Sequence, residues 1–310
     1  MKRIALDIET NLAISTIWCC CTYDLDTSEV KVFTDGQELN NYLEDAAVIV
    51  AHNGCGFDFK VLNKLWKTSI KRSQIADTLV MSRLLNPVRE NGHSLASLAL
   101  LVGEIKKEFD DFDSGLSETM IEYCKQDAVI AGKLYEYFIK YFAEEPKQTQ
   151  TSTKALDLEL DVQLIISEQV ANGFKLDTPY AMSLLSTIKG EMDEIVSNMR
   201  KVFPDITHER YSEKTGKRLQ DRVEVFNVGS RKQIAERLMA LGWKPAKFTE
   251  KGSVIVDEAV LEGVNIPEAK VIARYLMLQK RASMLESWLE KVGRDGRVHG
   301  KVITIGAVTG

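Results

Sequence analysis

Along the first 140 residues, short β-branched or alternating runs trade places with longer stretches of helical spacing. Ile4 to Ile8, Ile17 to Tyr23 and Val30 to Thr34 are such short runs, separated by polar breaks, and they predict three consecutive strands of a meander. Glu38 to Leu43 has helical spacing, and Ala47-Val48-Ile49-Val50-Ala51 is a continuous apolar run of the kind a strand buried on both faces displays. Helical segments are predicted at Phe57 to Trp66, Thr78 to Leu85, Leu95 to Val102 and Glu118 to Phe142. The pattern is that of an α/β domain, a mixed sheet flanked by helices.

Apolar content falls away over Glu144 to Ser152, where Pro146 also appears, so residues 1–145 and 146–310 are expected to be separate domains. Beyond this linker the chain reads as mainly helical. Asp177 or Thr178 before Pro179 is a helix start, and Ala181, Leu185, Ile188, Met192, Ile195, Met199 and Val202 then recur at three- and four-residue steps. Ser230 and Gln233 form a capping-box signal, and a last helix is predicted over roughly Pro267 to Val292.

A chain of 310 residues, 45% hydrophobic and 27% charged, is globular rather than disordered or fibrous. No stretch approaches the ~20 apolar residues of a membrane span, and Met1-Lys2-Arg3 leads into a strand rather than a signal peptide, which makes a cytoplasmic protein the expectation. Five cysteines form no framework, and the consecutive Cys19, Cys20 and Cys21 cannot all face one metal, so reduced thiols in a strand are expected. The net charge of -5 hides an asymmetry: residues 201–251 hold twelve Lys or Arg against seven Asp or Glu. An acidic unit followed by a basic segment suits metal chemistry on one side and phosphate contacts on the other.

The chemical signal starts at Asp7-Ile8-Glu9-Thr10. Strand alternation puts Asp7 and Glu9 on one face ~7 Å apart, a pairing suited to a hard divalent cation. Asp58, in His52-Asn53-Gly54-Cys55-Gly56-Phe57-Asp58, follows the buried run and reads equally as a helix cap or a metal ligand. Tyr123 and Asp127 lie four apart on a helix, among Met120, Cys124, Ala128, Ala131, Leu134 and Phe138. A carboxylate in such an apolar stripe needs a compensating cation or hydrogen bonds. Four carboxylates meeting in one cleft would hold two Mg²⁺, with Mn²⁺ as a substitute, for phosphodiester hydrolysis. Asp7 would bridge the metals, Glu9 and Asp127 would complete the water-activating site, and Asp58 would act at the second metal. Tyr123 would orient the attacking water.

Asp-x-Glu, Asn-x-x-x-Phe-Asp and Tyr-x-x-x-Asp, in this order, resemble the three exonuclease motifs of the DEDD superfamily, tyrosine subtype. Each motif alone is weak and the ordered trio is specific. The histidine subtype is not matched, since none of His52, His93, His208 or His299 lies near the last motif. Val170 to Asp177, Phe226 to Ile234, Phe248 to Gly252, Val256-Asp257, Tyr275-Leu276-Met277, Gln279-Lys280-Arg281, Gly300 and Gly306 to Gly310 are similar to thumb-region segments of family A DNA polymerases of the T-odd phage type. The resemblance implies a ribonuclease-H-like exonuclease domain, followed by a partial thumb that ends before palm and fingers.

Implied contacts to a frayed 3′ end are Thr10, Leu12, His52, Asn53 and Phe57, with Ser230, Arg231, Lys232, Lys251, Ser253 and Lys280 on duplex phosphates. Thioredoxin-using members carry a long thumb insertion, whereas only about two dozen residues separate Phe203 from Phe226, so thioredoxin is not implied. The expected activity is 3′→5′ proofreading hydrolysis of DNA. The alternatives are a ribonuclease of the same superfamily, or a non-catalytic subunit working with a separate palm-and-fingers polypeptide. In the family the polymerising residues lie beyond the position of Gly310, so this sequence is expected to lack them, as a fragment, an interrupted gene or half of a split enzyme.

Overall fold

The computed structural model describes residues 2–307. Of the polymerase-like tail motif, Val308, Thr309 and Gly310 lie outside the described residues. Strands β1 (Lys2–Thr10), β2 (Ile17–Asp24) and β3 (Val30–Phe33) form the expected antiparallel meander. Helix α1 (Gly36–Leu43), capped by the Asp35 carboxylate, leads into β4 (Ala46–Ala51), which runs parallel to β1. A short β5 (Ile75–Asp77) adds parallel to β4, giving the order β3-β2-β1-β4-β5. The strand that carries Asp7 and Glu9 is therefore central, with an antiparallel neighbour on one side and a parallel one on the other.

The helix expected over 57–66 is divided: α2 (Asp58–Val61) widens into a π turn, Leu62–Trp66, which Lys67 closes in a left-handed conformation. Next come α3 (Thr78–Leu85), α4 (Leu95–Ala99) with a 3₁₀ turn at Leu100–Val102, and α5 (Glu118–Ile139). Helix α5 stops short of Phe142, which sits instead in the two-residue strand β6 (Phe142–Ala143), paired with β7 (Thr151–Ser152). Met120, Cys124, Ala128, Ala131, Leu134 and Phe138 are buried, as their spacing predicts. The close approach of α5 to the sheet depends on Gly132, where a Cβ would stand 2.7 Å from the Tyr23 ring and 3.2 Å from the Ala5 Cβ.

The first compact unit runs through Asn172 and takes in the described residues from Gly300 onward; the second is Gly173–His299. Helix α6 (Thr153–Asn172) thus stays with the sheet, past the linker where composition put the boundary. It does so because Leu156 and Leu160 join the first core, Asp161 pairs with Arg72, and the Ser167 hydroxyl donates to the Cys55 carbonyl at 2.7 Å.

The second unit has its own core. After β8 (Phe174–Lys175), α7 (Thr178–Val202) is capped by Asp177 with Pro179 in its first turn. A hairpin, β9 (Ile206–Tyr211) and β10 (Arg218–Glu224), precedes α8 (Arg231–Ala240), α9 (Glu258–Glu262), α10 (Pro267–Lys291) and β11 (Arg297–Val298), which pairs with β8. Ile188, Ile195 and Met199 meet Ile234, Leu238, Ile272 and Leu276 in one cluster. The hairpin interrupts a region that is otherwise mainly helical, as expected. Its strands are exposed almost throughout, so no apolar alternation announces them. Among the described residues no helix is long and apolar enough to cross a membrane.

Candidate active site

Alternation along β1 carries Asp7 and Glu9 to one face, and the antiparallel register sets them opposite Cys21 and Cys19 of β2. Helix α5 covers this face. The Cys124 thiol donates to the Asp7 carbonyl oxygen at 3.3 Å, and donor atoms of Asp7, Glu9 and Cys124 lie within 4.8 Å of one another. One helical turn on, Asp127 is buried; Asp58 is buried at the first position of α2. Phe57, not Asp58, occupies the cap position of α2, and no side chain caps that helix, which removes the capping reading of Asp58.

The four carboxylates sense each other. Burial raises Asp7 well above the usual carboxylate range, and repulsion from Asp58, Asp127 and Glu9 adds to it. Burial, then Cys19 and Asp127, push Glu9 up to about 8. Asp58 is pushed up to about 7, chiefly by burial; its own backbone N–H and that of Ile8 oppose the shift, while Asp77 and Asp127 reinforce it. Burial raises Asp127 too, against the hydrogen bond it accepts from Lys106. Asp127 Oδ1 is buried with no hydrogen-bond partner. Asp7 and Glu9 have donor atoms close enough to share one ion, and Asp58 and the uncompensated Asp127 lie near enough to repel Asp7, so the residues fit a hard divalent cation.

Lys106 was not anticipated. Its ammonium binds Asp127 Oδ2, donates to the Tyr123 hydroxyl at 2.7 Å, and stands 3.9 Å from the centroid of the Tyr123 ring. Burial alone would lower the Lys106 pKa, but the bonds to Asp127 and Tyr123 outweigh it and leave it raised. Phe109 packs against the other partner of this pair, with its ring centroid 5.6 Å from that of Tyr123. The irregular segment between α4 and α5 supplies both Lys106 and Phe109, and no periodicity there marks either.

Asp77 was also missed. Fully buried, it accepts the backbone N–H groups of Asn53 at 3.0 Å, Cys55 at 3.0 Å and Leu79 at 2.9 Å. It thereby caps α3 and shapes the segment that ends in Asp58. Its position directly before a helical run was a legible capping signal.

The predicted contacts to a nucleic-acid end sit in different local settings. Thr10 is buried at the end of β1, with its hydroxyl donating to the Asn11 carbonyl at 3.0 Å. Leu12 is exposed and its N–H donates to Asp113 at 2.9 Å. His52 is held by Thr78 at 2.9 Å and lowered by burial to about 4, so it is neutral at pH 7. His52 and the exposed Asn53, at φ 64°, line a groove with Arg83 and His93. Phe57 is half-buried against the first core.

In the second unit Ser230 caps α8, Arg231 donates to the Val256 carbonyl, and Lys232 stands 3.9 Å from Glu236. Lys251 and Ser253 are exposed on the turn closed by Phe248 and Val254, and Lys280 is exposed on α10. One Arg231 nitrogen is thus already engaged, whereas Lys251, Ser253 and Lys280 remain presented to solvent.

Residues 2–142 match the family model described as a 3′-5′ exonuclease. The chain is 27% identical to a DNA-directed DNA polymerase of Enterobacteria phage T3 over 424 residues, covering 98% of this chain and 60% of that protein. It is 26% identical to DNA polymerase I of Aquifex aeolicus, covering 93% of this chain and 48% of the relative. The chain therefore spans roughly half to three-fifths of the curated relatives it matches. The T3 alignment is longer than the chain itself, so that relative carries segments absent here. Among solved structures, the POL domain of Pol1 from M. smegmatis, in complex with DNA primer-template and dNTP, superposes with a TM-score of 0.67 at 16% identity. It covers 96% of this chain and 48% of that one. Residues 2–142 thus resemble the 3′-5′ exonuclease domains of the DNA polymerase A type, within a chain similar along most of its length to phage and bacterial DNA polymerases.

Proposed function

We propose that the site is a two-metal 3′→5′ DNA exonuclease that releases nucleoside 5′-monophosphates from single-stranded 3′ ends, in the manner of a proofreading domain. The observation that carries this reading is the meeting of Asp7, Glu9, Asp58 and Asp127, from three separate sequence motifs, with raised carboxylate pKa values and an unpartnered Asp127 Oδ1. Asp7, Glu9, Asp58 and Asp127 would hold the Mg²⁺ ions, which, when bound, supply activation of water and stabilisation of the leaving 3′-oxygen. The Tyr123 hydroxyl orients the attacking water; burial keeps its pKa above the ordinary value, which suits orientation rather than proton removal. Lys106 holds Tyr123 and Asp127 in place and contributes a positive charge beside the scissile phosphate.

DNA rather than RNA is favoured because the matched relatives are DNA polymerases. The groove of His52, Asn53 and Arg83 is proposed to receive the strand end, and Ser230, Lys251, Ser253 and Lys280 to contact duplex phosphates. The unit that performs the chemistry is proposed to be the exonuclease domain of residues 2–142 with α6 as its structural support. DNA synthesis is assigned to palm and fingers, whether continuous with this sequence or supplied by another polypeptide.

The test is digestion of matched single-stranded DNA and RNA by the wild-type chain, Asp7→Ala and Asp127→Ala, with Mg²⁺ or EDTA. Wild type should release monophosphates from DNA only with Mg²⁺, and both variants should be inactive while still folded. Activity surviving in either variant removes the mechanism, and stronger digestion of RNA removes the choice of substrate.

A further inference from the structure

Beside the carboxylates lies a second cluster that hydrolysis does not use. Cys19, Cys21 and Cys124 are fully buried, and their three sulfurs lie within 4.8 Å of one another. Cys20 points to the opposite face of β2 and joins the main core, so the consecutive cysteines divide two to one. The third thiol comes from α5, about a hundred residues away in the chain. Buried thiols often only fill space. Here, however, Cys124 is a member of two groups at once: its sulfur is within 4.8 Å of the other two thiols and, separately, of Asp7 and Glu9 oxygens.

A tetrahedral site with metal–sulfur bonds of ~2.3 Å needs sulfurs about 3.8 Å apart, a spacing this trio can reach with small side-chain shifts. Three sulfurs prefer a soft cation, and neighbouring carboxylates prefer a hard one. We infer that Cys19, Cys21 and Cys124, completed by the carboxylate of Glu9, form a site for a thiophilic divalent cation such as Zn²⁺ or Cd²⁺, and that its occupancy withdraws Glu9 from the hydrolytic site. Glu9 is the fourth ligand because it faces Cys19 across the β1–β2 ladder. Binding converts thiols to thiolates and releases their protons to the buffer. The inhibitory half of this inference rests on the proposed exonuclease; the binding half does not.

Cd²⁺ is the probe, added to the full chain in excess Mg²⁺ under reducing conditions free of chelating thiols. One equivalent should produce a thiolate-to-cadmium charge-transfer band in the near ultraviolet and abolish most of the DNA hydrolysis. The Cys19→Ala/Cys21→Ala variant should keep Mg²⁺-dependent hydrolysis and lose the band. Its Cd²⁺ affinity should fall by more than ~100-fold, beyond the 10- to 100-fold that changes outside a ligand sphere produce. Cys55 remains in that variant as an internal control for isolated thiols. Absence of the band in the wild type overturns the site, as does equal Cd²⁺ inhibition of wild type and variant. A band without any hydrolysis in Mg²⁺ alone leaves the thiol site standing and removes the exonuclease reading instead.

Discussion

Replacing Glu9 by Gln should stabilise the metal-free protein while destroying its activity. Glu9 has an ordinary pKa of 4.5 and is pushed up to about 8 by burial, Cys19 and Asp127. Between those values the folded state holds a proton that the unfolded state has lost, so stability falls as pH rises from about 4.5 and levels off above about 8. At ~1.4 kcal/mol per pH decade, the penalty attached to Glu9 is roughly 1 kcal/mol at pH 5 and roughly 4 kcal/mol at pH 8. Gln has nearly the same shape and no charge, so it escapes this penalty.

The measurement is hydrogen exchange of the β1 and α5 amides in EDTA, for wild type and Glu9→Gln at pH 5 and pH 8. Protection in the variant should exceed wild type by a few kcal/mol at pH 8 and by about 1 kcal/mol at pH 5. Adding Mg²⁺ at pH 8 should raise wild type and leave the variant nearly unchanged, because metal binding needs the ionised carboxylate. A difference that is independent of pH, or a variant less stable than wild type at pH 8, would refute the reasoning.

Lys106→Met should leave Asp127 as an unpaired buried carboxylate, lowering metal-free stability by about 3 kcal/mol at neutral pH. The same change removes the cation that competes for Asp127, so the Mg²⁺ concentration needed for half-maximal thermal stabilisation should fall. Asp77→Asn should weaken acceptance of three backbone N–H groups, with a loss of about 1–2 kcal/mol in denaturant unfolding and a lower kcat as the segment carrying Asp58 shifts. In Gly132→Val the new side chain meets Tyr23 and Ala5; α5 is displaced, stability drops by about 1–3 kcal/mol, and hydrolysis falls with the movement of Asp127. Wild-type activity in that variant, measured by oligonucleotide digestion, would mean that the helix-to-sheet distance does not govern the site.

Much of the site was legible because its ingredients are local. A period of two sends Asp7 and Glu9 to one face of β1, and a spacing of four stacks Tyr123 on Asp127, whatever the rest of the chain does. Asp177 and Ser230 announced their helices for the same reason: a side-chain oxygen satisfies an N–H two or three residues away. The exposed hairpin over 206–224 escaped because a strand without a buried face has no alternation to display.

Whether Asp58 capped a helix or served as a metal ligand was undecidable from its neighbours, since both roles place it at a helix start; only the fold brings it to the Ile8 N–H of β1 and within electrostatic reach of Asp127. Lys106 reaches Asp127 from a segment with neither strand nor helix period, so only the folded path of that loop could reveal it. Cys124 meets Cys19 and Cys21 through the docking of α5 on the β1–β2 face, a contact between positions about a hundred residues apart. Periodicity and capping are set within a turn or two of chain, and the sequence alone determined what depends on them. Which distant charges and thiols share one cavity depends on sheet register and helix packing, and that was decided only by the tertiary structure.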